Sequence, residues 1–248
     1  MNIEFFDNTE KATCVLCGAE LKELQNSIEV RCDVCGEIHL THYQCDNSHY
    51  ICDSCLSMPV NDFIKNKCLD YNETDPMALA VSIMNSPKIR LYGPEHHFIV
   101  PAVLLTCVYN LQHLQREKEE LMTILEKTEA RVSKESPREC AYHLGGCGAA
   151  IGTGIFASIF AGESLSKDET WSLANSLVAE SLKRVAEAGG ARCCKRDTYL
   201  SIETSVDFLK NKYNIDLPIT QGRCTFSLRN SACKREECYF YDIRYSLV

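Results

Sequence analysis

Basic residues are scarce where the cysteines are dense. Residues 1–60 carry ten acidic side chains and three basic ones, Lys11, Lys22 and Arg31. Phosphate backbones are bound by clustered Lys and Arg, so nucleic acid is not an expected partner of this segment. The opening MNIEFFDNTE lacks a basic start and a long apolar run, so no secretory signal is expected there. The glycine-rich LGGCGAAIGTG, Leu144 to Gly154, has no Lys-Ser/Thr after its glycines and no evident strand before it, which excludes a P-loop. Leu144 to Gly162 runs 19 residues without a charge, close to the roughly 20 that cross a bilayer. Six of those residues are glycine, and no Lys or Arg lies within four residues of either end to anchor a membrane span. The expectation is a buried helix that includes Ile155 and Ile159, and no membrane partner. No internal repeat is evident.

What the chain does have is sulfur. There are sixteen cysteines in 248 residues, with 45% hydrophobic and 24% charged residues and a net charge of −8. Such a chain folds around a sizeable core. Without a signal for export, its thiols are expected to be reduced or metal-bound in the cytoplasm, not paired as disulfides.

Three CxxC pairs fall at Cys14/Cys17, Cys32/Cys35 and Cys52/Cys55, and the first two read CVLCG and CDVCG. A CxxC turn followed by glycine aims two thiolates at one ion while its backbone N–H groups stabilise them. Between the second and third pairs lie Cys45 and the histidines His39, His42 and His49. Seven cysteines and one histidine, His49 or His42, make eight donors, enough for two tetrahedral zinc ions. Two pairings are open. In a cross-braced arrangement Cys14, Cys17, Cys45 and the histidine hold one ion, and Cys32, Cys35, Cys52 and Cys55 the other. In a sequential arrangement Cys14, Cys17, Cys32 and Cys35 come first. Either way four protein ligands close each site, which makes the zinc structural.

Beyond about residue 60 the pattern turns helical. Residues 60–95 read as a connector with a short helix around Met77 to Met84. After Pro101, Cys107, Leu111, Leu114, Leu121 and Leu125 share one face of a long helix reaching about Lys134. A further helix starts at Ser166 with a capping box to Glu169, buries Trp171, Ala174, Val178, Leu182 and Val185, and stops at Gly189-Gly190. A last one, from about Asp197, buries Tyr199, Ile202, Val206, Leu209 and Tyr213. The fold class is therefore mostly α: an N-terminal two-zinc finger-like module over 1–60, then an α-helical cysteine-rich domain over 61–248.

Three constellations in that domain carry chemistry. GPEHHFIVP places Glu95, His96 and His97 after a Gly-Pro turn, where Glu95 and a histidine such as His96 can form an acid/base pair. Cys147 sits at the start of an apolar helix, whose dipole lowers a thiol pKa. In GGARCCKRD, Cys193 and Cys194 stand between Arg192 and Lys195/Arg196, so their thiolates are expected to be favoured, one acting and the other packing or resolving. Cys224, Cys233 and Cys238 complete a four-thiolate site if the C-terminal segment folds back over the start of the last helix. Cys140 brings the thiols of this region to seven.

Taken together, CVLCG, CDVCG, HYICDSC, GPEHHFIVPAVLLT, GGCGAAIGTGIFASI, SLANSLVAESL, GGARCCKRD and the terminal cysteine trio resemble a family of prokaryotic proteins of unknown function, frequent in anaerobes. The resemblance covers nearly the whole chain. In that family the main domain is sometimes fused to a methyltransferase that uses S-adenosylmethionine. Such a domain is not evident here, since no strand leads into a glycine-rich turn with an acidic residue about 20 positions on. The resemblance implies no catalytic role, but an anaerobic setting is compatible with an iron–sulfur cluster. The resulting expectation is a cytosolic metal-binding protein with a thiolate or iron–sulfur redox or sulfur-handling site in the helical domain. The alternative is a non-catalytic adaptor that docks a partner enzyme through the zinc module and the long helix.

Overall fold

A computed structural model describes residues 13–17, 19–112, 117–135, 145–162, 166–190 and 192–245. Cys140, Ser136-Pro137 and Leu144 lie outside the described residues. The chain divides into two compact units: residues up to Met58 together with Ser86–Lys88, and Pro59–Asn85 with residues from Ile89 onward.

The first unit is a hairpin preceded by one knuckle and turned by the other. Strands β1, Lys22–Arg31, and β2, Ile38–Gln44, pair antiparallel, with a register irregularity between Glu23 and Ile28. A short helix α1, Asp53–Ser57, follows. The buried residues of this unit, among those described, are Cys14, Cys32, Val34, Cys45, Cys52 and Cys55. Its interior is sulfur, not hydrocarbon, and hydrophobic burial alone offers it little stabilisation.

The second unit is helical. It contains α2, Val60–Asp70; α3, Pro76–Met84; α4, Glu95–Gln112; α5, Lys118–Glu135; α6, Gly148–Ala161; α7, Lys167–Ala188; and α8, Cys194–Tyr213. Helix α2 lies in a stretch the sequence reading treats as connector. Asp75 caps α3, its Oδ1 accepting from the N–H groups of Met77 and Ala78, with Pro76 in the first turn. The expected single helix to Lys134 is two helices, and the first begins at Glu95, six residues before Pro101.

Helix α4 is the centre of this unit. It is buried from Glu95 through Tyr109 and packs against α2, α3, α5, α6 and α8. Pro101 has no N–H to give to the carbonyl four residues back, that of His97. Helix α6 comes closest there. A Cβ on Gly152 would lie 2.8 Å from the His97 carbonyl and 3.0 Å from Pro101 Cδ. On another side of α6, a Cβ on Gly154 would meet Val178 of α7 at 2.5 Å. The glycines of this apolar segment thus let one helix approach two neighbours. No helix among the described residues is long and apolar enough to cross a membrane.

Helix α7 opens with the expected capping box, Ser166 Oγ accepting from Glu169 N and Glu169 Oε2 accepting from Ser166 N. It closes at Gly189 and Gly190, both at positive φ. Its buried residues are Leu173, Leu177 and Ser181, with Ala174, Val178, Leu182 and Val185 half-buried; Trp171 is 71% exposed. The expected stripe is therefore rotated by one position. On α8 the expected stripe is buried except for half-buried Tyr213. After α8 the chain forms short 3-10 turns and one isolated bridge, Cys224 to Tyr241.

Phe156 is fully buried and stacks on Phe160 within α6, while Ile155 is buried and Ile159 half-buried. Phe156→Ala is expected to cost about 3–5 kcal/mol in a urea titration at constant m-value. A loss below about 1 kcal/mol would contradict a buried α6, since only exposed sites behave that way.

Candidate metal centres

Both CxxCG knuckles close in the same way. The N–H of Cys14 bonds the Ala19 carbonyl and that of Cys32 bonds the Glu37 carbonyl, each at 2.8 Å. Gly36 sits at φ 77° and bonds back to the Cys32 carbonyl. That turn needs the left-handed region, which is why glycine follows the second cysteine.

The unit brings eight donors together in two groups: Cys14, Cys17, Cys45 and His49; and Cys32, Cys35, Cys52 and Cys55. Within each group all ligand atoms lie within 4.8 Å of one another, and each group could hold a metal ion. Cys17 Sγ to Cys45 Sγ is 3.6 Å, Cys14 Sγ to His49 Nδ1 is 3.8 Å, and Cys35 Sγ to Cys52 Sγ is 4.0 Å. Four donors bound at 2.0–2.3 Å around one tetrahedral ion stand roughly 3.3–3.8 Å apart. The arrangement is the cross-braced one, the two groups interleaving along the chain. His49 joins the group; His42 Nδ1 instead lies 3.4 Å from the Leu24 carbonyl, and His39 Nε2 lies 3.9 Å from Cys35 Sγ without belonging to either group.

Hydrogen bonds favour the thiolate at one sulfur of each group, Cys17 and Cys32. Burial would raise the Cys32 thiol, but the N–H groups of Cys35, Cys52 and Val34 bring it down to about 6. A hydrogen bond from Asn47 and the N–H of Ala19 bring Cys17 to about 6. Burial and the neighbouring sulfurs push Cys55 strongly upward. Three or four thiolates this close repel, and a cation removes that repulsion.

The helical unit holds a second concentration of sulfur around the first turn of α8. Cys193, Cys224, Cys233 and Cys238 all line one cavity of about 20 Å³. Helix α8 supplies Cys193 as its N-terminal cap residue, and the C-terminal turns supply the other three. Cys194, also buried, is not among the lining residues, so the two adjacent cysteines face different ways.

Two of these cysteines repeat the knuckle bond. The N–H of Phe226 donates to Cys224 Sγ at 3.4 Å and that of Arg235 to Cys233 Sγ at 3.3 Å, as Val34 N does to Cys32 Sγ at 3.4 Å. Asn230 Nδ2 stands 3.9 Å from Cys193 Sγ. Tyr199 is fully buried, and its hydroxyl has no hydrogen-bond partner among the described residues.

Two of the three basic residues of GGARCCKRD are buried, and only Arg192 is exposed. Lys195 is 1% exposed, with Nζ 3.2 Å from the Met84 carbonyl and 4.4 Å from the centre of the Phe226 ring. Arg196 is buried too, its Nε on Asp197 Oδ1 at 3.0 Å and its Nη1 on the Gly189 carbonyl at 2.7 Å. Burial pushes the Cys193 thiol up to about 11 despite the N–H of Arg196, so the expected lowering is corrected. Burial and Asp197 push half-buried Cys147 up to about 12, again against the expected helix-dipole effect. Its Sγ stands 3.6 Å from Asp197 Oδ2.

The GPEHH motif is an anchor in this structure. Both Glu95 oxygens are taken by Arg90, with Nη2 to Oε2 at 2.8 Å, so the carboxylate turns to an arginine. A Cβ on Gly93 would lie 2.2 Å from Glu95 Oε2 and push the carboxylate from its place against Arg90. His96 Nδ1 is 3.0 Å from the Gly93 carbonyl and its Nε2 is buried without a partner. Burial and Lys195 push His96 down to about 3, and burial and Arg192 push His97 down to about 4, so both rings are neutral at pH 7. A Cβ on Gly148 would strike the His97 ring at 2.2 Å. The histidine and glycine motifs are thus two sides of one contact.

The chain belongs to a family of unknown function, DUF5714, which matches residues 64–241. No curated protein and no solved structure matches the chain. The matched span contains GPEHH, α6 and all four cavity cysteines, while the knuckle motifs that entered the resemblance fall outside it.

Because its interior is sulfur, the N-terminal unit is expected to unfold when its metal is chelated, losing a contribution on the order of 10 kcal/mol. Amide signals of residues 20–55 should collapse to random-coil positions in NMR spectra. Dispersed signals after both ions are removed would contradict this.

Proposed function

We propose that the helical unit is a cytosolic redox or sulfur-handling module built on a thiolate-bound inorganic centre. The N-terminal unit is a closed two-zinc element that serves folding or docking. The observation that carries the first statement is the convergence of Cys193, Cys224, Cys233 and Cys238 on one cavity. About 20 Å³ of the cavity is open to the centre of a water molecule, too little room for an organic substrate. A metal–sulfur bond of about 2.3 Å is shorter than van der Waals contact, so a coordinated inorganic group fits where an unbonded one does not.

Zinc suits the N-terminal groups because it takes four Cys/His ligands in a tetrahedron and is redox-inert. Each group supplies all four ligands from protein, leaving no open position for a substrate. A reducing compartment is the setting in which so many thiols act as ligands.

An adaptor reading has one observation of its own. Ile38 and Leu40, on one face of β2, are 60% and 69% exposed, and Val15 and Leu56 of the same unit are exposed as well. Apolar side chains in such number on a small unit fit a protein-binding surface.

Counting zinc, iron and acid-labile sulfide per chain after anaerobic purification separates the two. Iron with sulfide beside about two zinc ions is the result expected of the redox or sulfur-handling reading. About two zinc ions with neither iron nor sulfide would leave the adaptor reading in its place.

A further inference from the structure

The four sulfurs around the α8 cavity are spaced differently from those of the N-terminal unit. Among the described residues, the groups of three or more donors within 4.8 Å of one another are the two N-terminal ones. Cys193, Cys224, Cys233 and Cys238 enclose a common cavity without closing to that distance. None of the four hydrogen-bonds another, whereas Cys17 and Cys45 approach to 3.6 Å. A single tetrahedral ion needs its thiolates roughly 3.8 Å apart. The wider cage calls for a centre with several metal atoms, each taking one thiolate, and a cubane of four irons and four sulfides has four such corners.

The surroundings suit such a group. Phe226 N, Arg235 N and Asn230 Nδ2 point hydrogen-bond donors at three of the sulfurs. The N-terminus of α8, a 20-residue helix, lies beside Cys193 and favours negative charge there. Tyr199 adds an independent sign. A fully buried hydroxyl with no partner is costly, on the order of 1–3 kcal/mol. Its ring lies 5.0 Å from that of Phe240, whose carbonyl accepts from the N–H of Cys224.

We infer that Cys193, Cys224, Cys233 and Cys238 are the four ligands of a four-iron iron–sulfur cluster, to whose sulfur Tyr199 donates a hydrogen bond. This rests on the redox or sulfur-handling reading of the helical unit and narrows it. With every iron held by protein, the cluster has no open corner for a substrate, and its chemical class is outer-sphere electron transfer. Cys194 and Cys147 are not ligands.

The test uses the full chain, isolated anaerobically or loaded with ferrous iron and sulfide. Iodoacetamide footprinting by mass spectrometry compares the loaded chain with the same chain after iron chelation. Cys193, Cys224, Cys233 and Cys238 should be protected only when iron is present, with about four irons and four sulfides bound per chain. Serine at any of the four should abolish the visible absorption, while Cys194→Ser and Cys147→Ser should keep it. Footprinting of the unmodified chain decides the ligand set even if a serine variant fails to fold. Tyr199→Phe should keep its iron and shift the midpoint potential to more negative values; an unchanged potential overturns the tyrosine assignment.

Iron whose protection maps to a different set of cysteines, or one or two irons per chain, overturns the cluster assignment alone. A chain that holds no iron in either preparation overturns the reading on which it rests.

Discussion

A charged turn kept out of water organises the helical unit. Lys195, Arg196 and Asp197, the first turn of α8, are each less than 9% exposed. Burying charge is expensive unless each group is answered, and here each is. Lys195 reaches the last carbonyl of α3 and the Phe226 ring, Arg196 reaches Asp197 and the end of α7, and Asp197 receives the thiol at the head of α6. Four parts of the unit are tied to one turn. Removing a partner leaves a buried charge with fewer contacts to offset its loss of water.

That constraint also places the sulfur. With Lys195 and Arg196 drawn inward, Cys193 turns toward the C-terminal segment, which lies over the helix start with Cys224, Cys233 and Cys238. This segment has little regular structure, only short 3-10 turns and one bridge. Its shape rests on individual side-chain bonds such as Tyr92 Oη to Asn230 Oδ1, Lys234 Nζ to the Ala188 carbonyl, and Arg223 and the Arg244 fork on Asp242. The contrast with the N-terminal unit is one of spacing. There the sulfurs close around points that suit single ions, and here they stand around a cage.

The legible parts of the sequence were those with local causes. CxxCG encodes its own turn, and the capping box at Ser166 and the glycine stop at Gly189-Gly190 are complete within a few residues. Non-local consequences were harder to see. Cys107, Leu121 and Leu125 are buried in one phase even though α4 ends at Gln112 and α5 begins at Lys118, so periodicity alone joins the two. Trp171 pulled the expected stripe of α7 toward itself because a large apolar ring looks like core. The reading of Arg192, Lys195 and Arg196 as thiolate-activating missed that two of the three are buried in partnerships 111 residues and one residue away. Tyr199 was expected simply as core, and nothing local marks its hydroxyl as unpartnered.

The central claim is that the chain uses cysteine in two distances, one for single ions and one for a multinuclear centre. X-ray absorption at the zinc and iron edges of the anaerobically isolated full chain measures this directly. The expected result is sulfur and nitrogen neighbours with no metal neighbour at zinc, and sulfur neighbours with an additional iron shell at iron. An iron site with sulfur neighbours alone, or a third zinc in place of iron, would contradict the account.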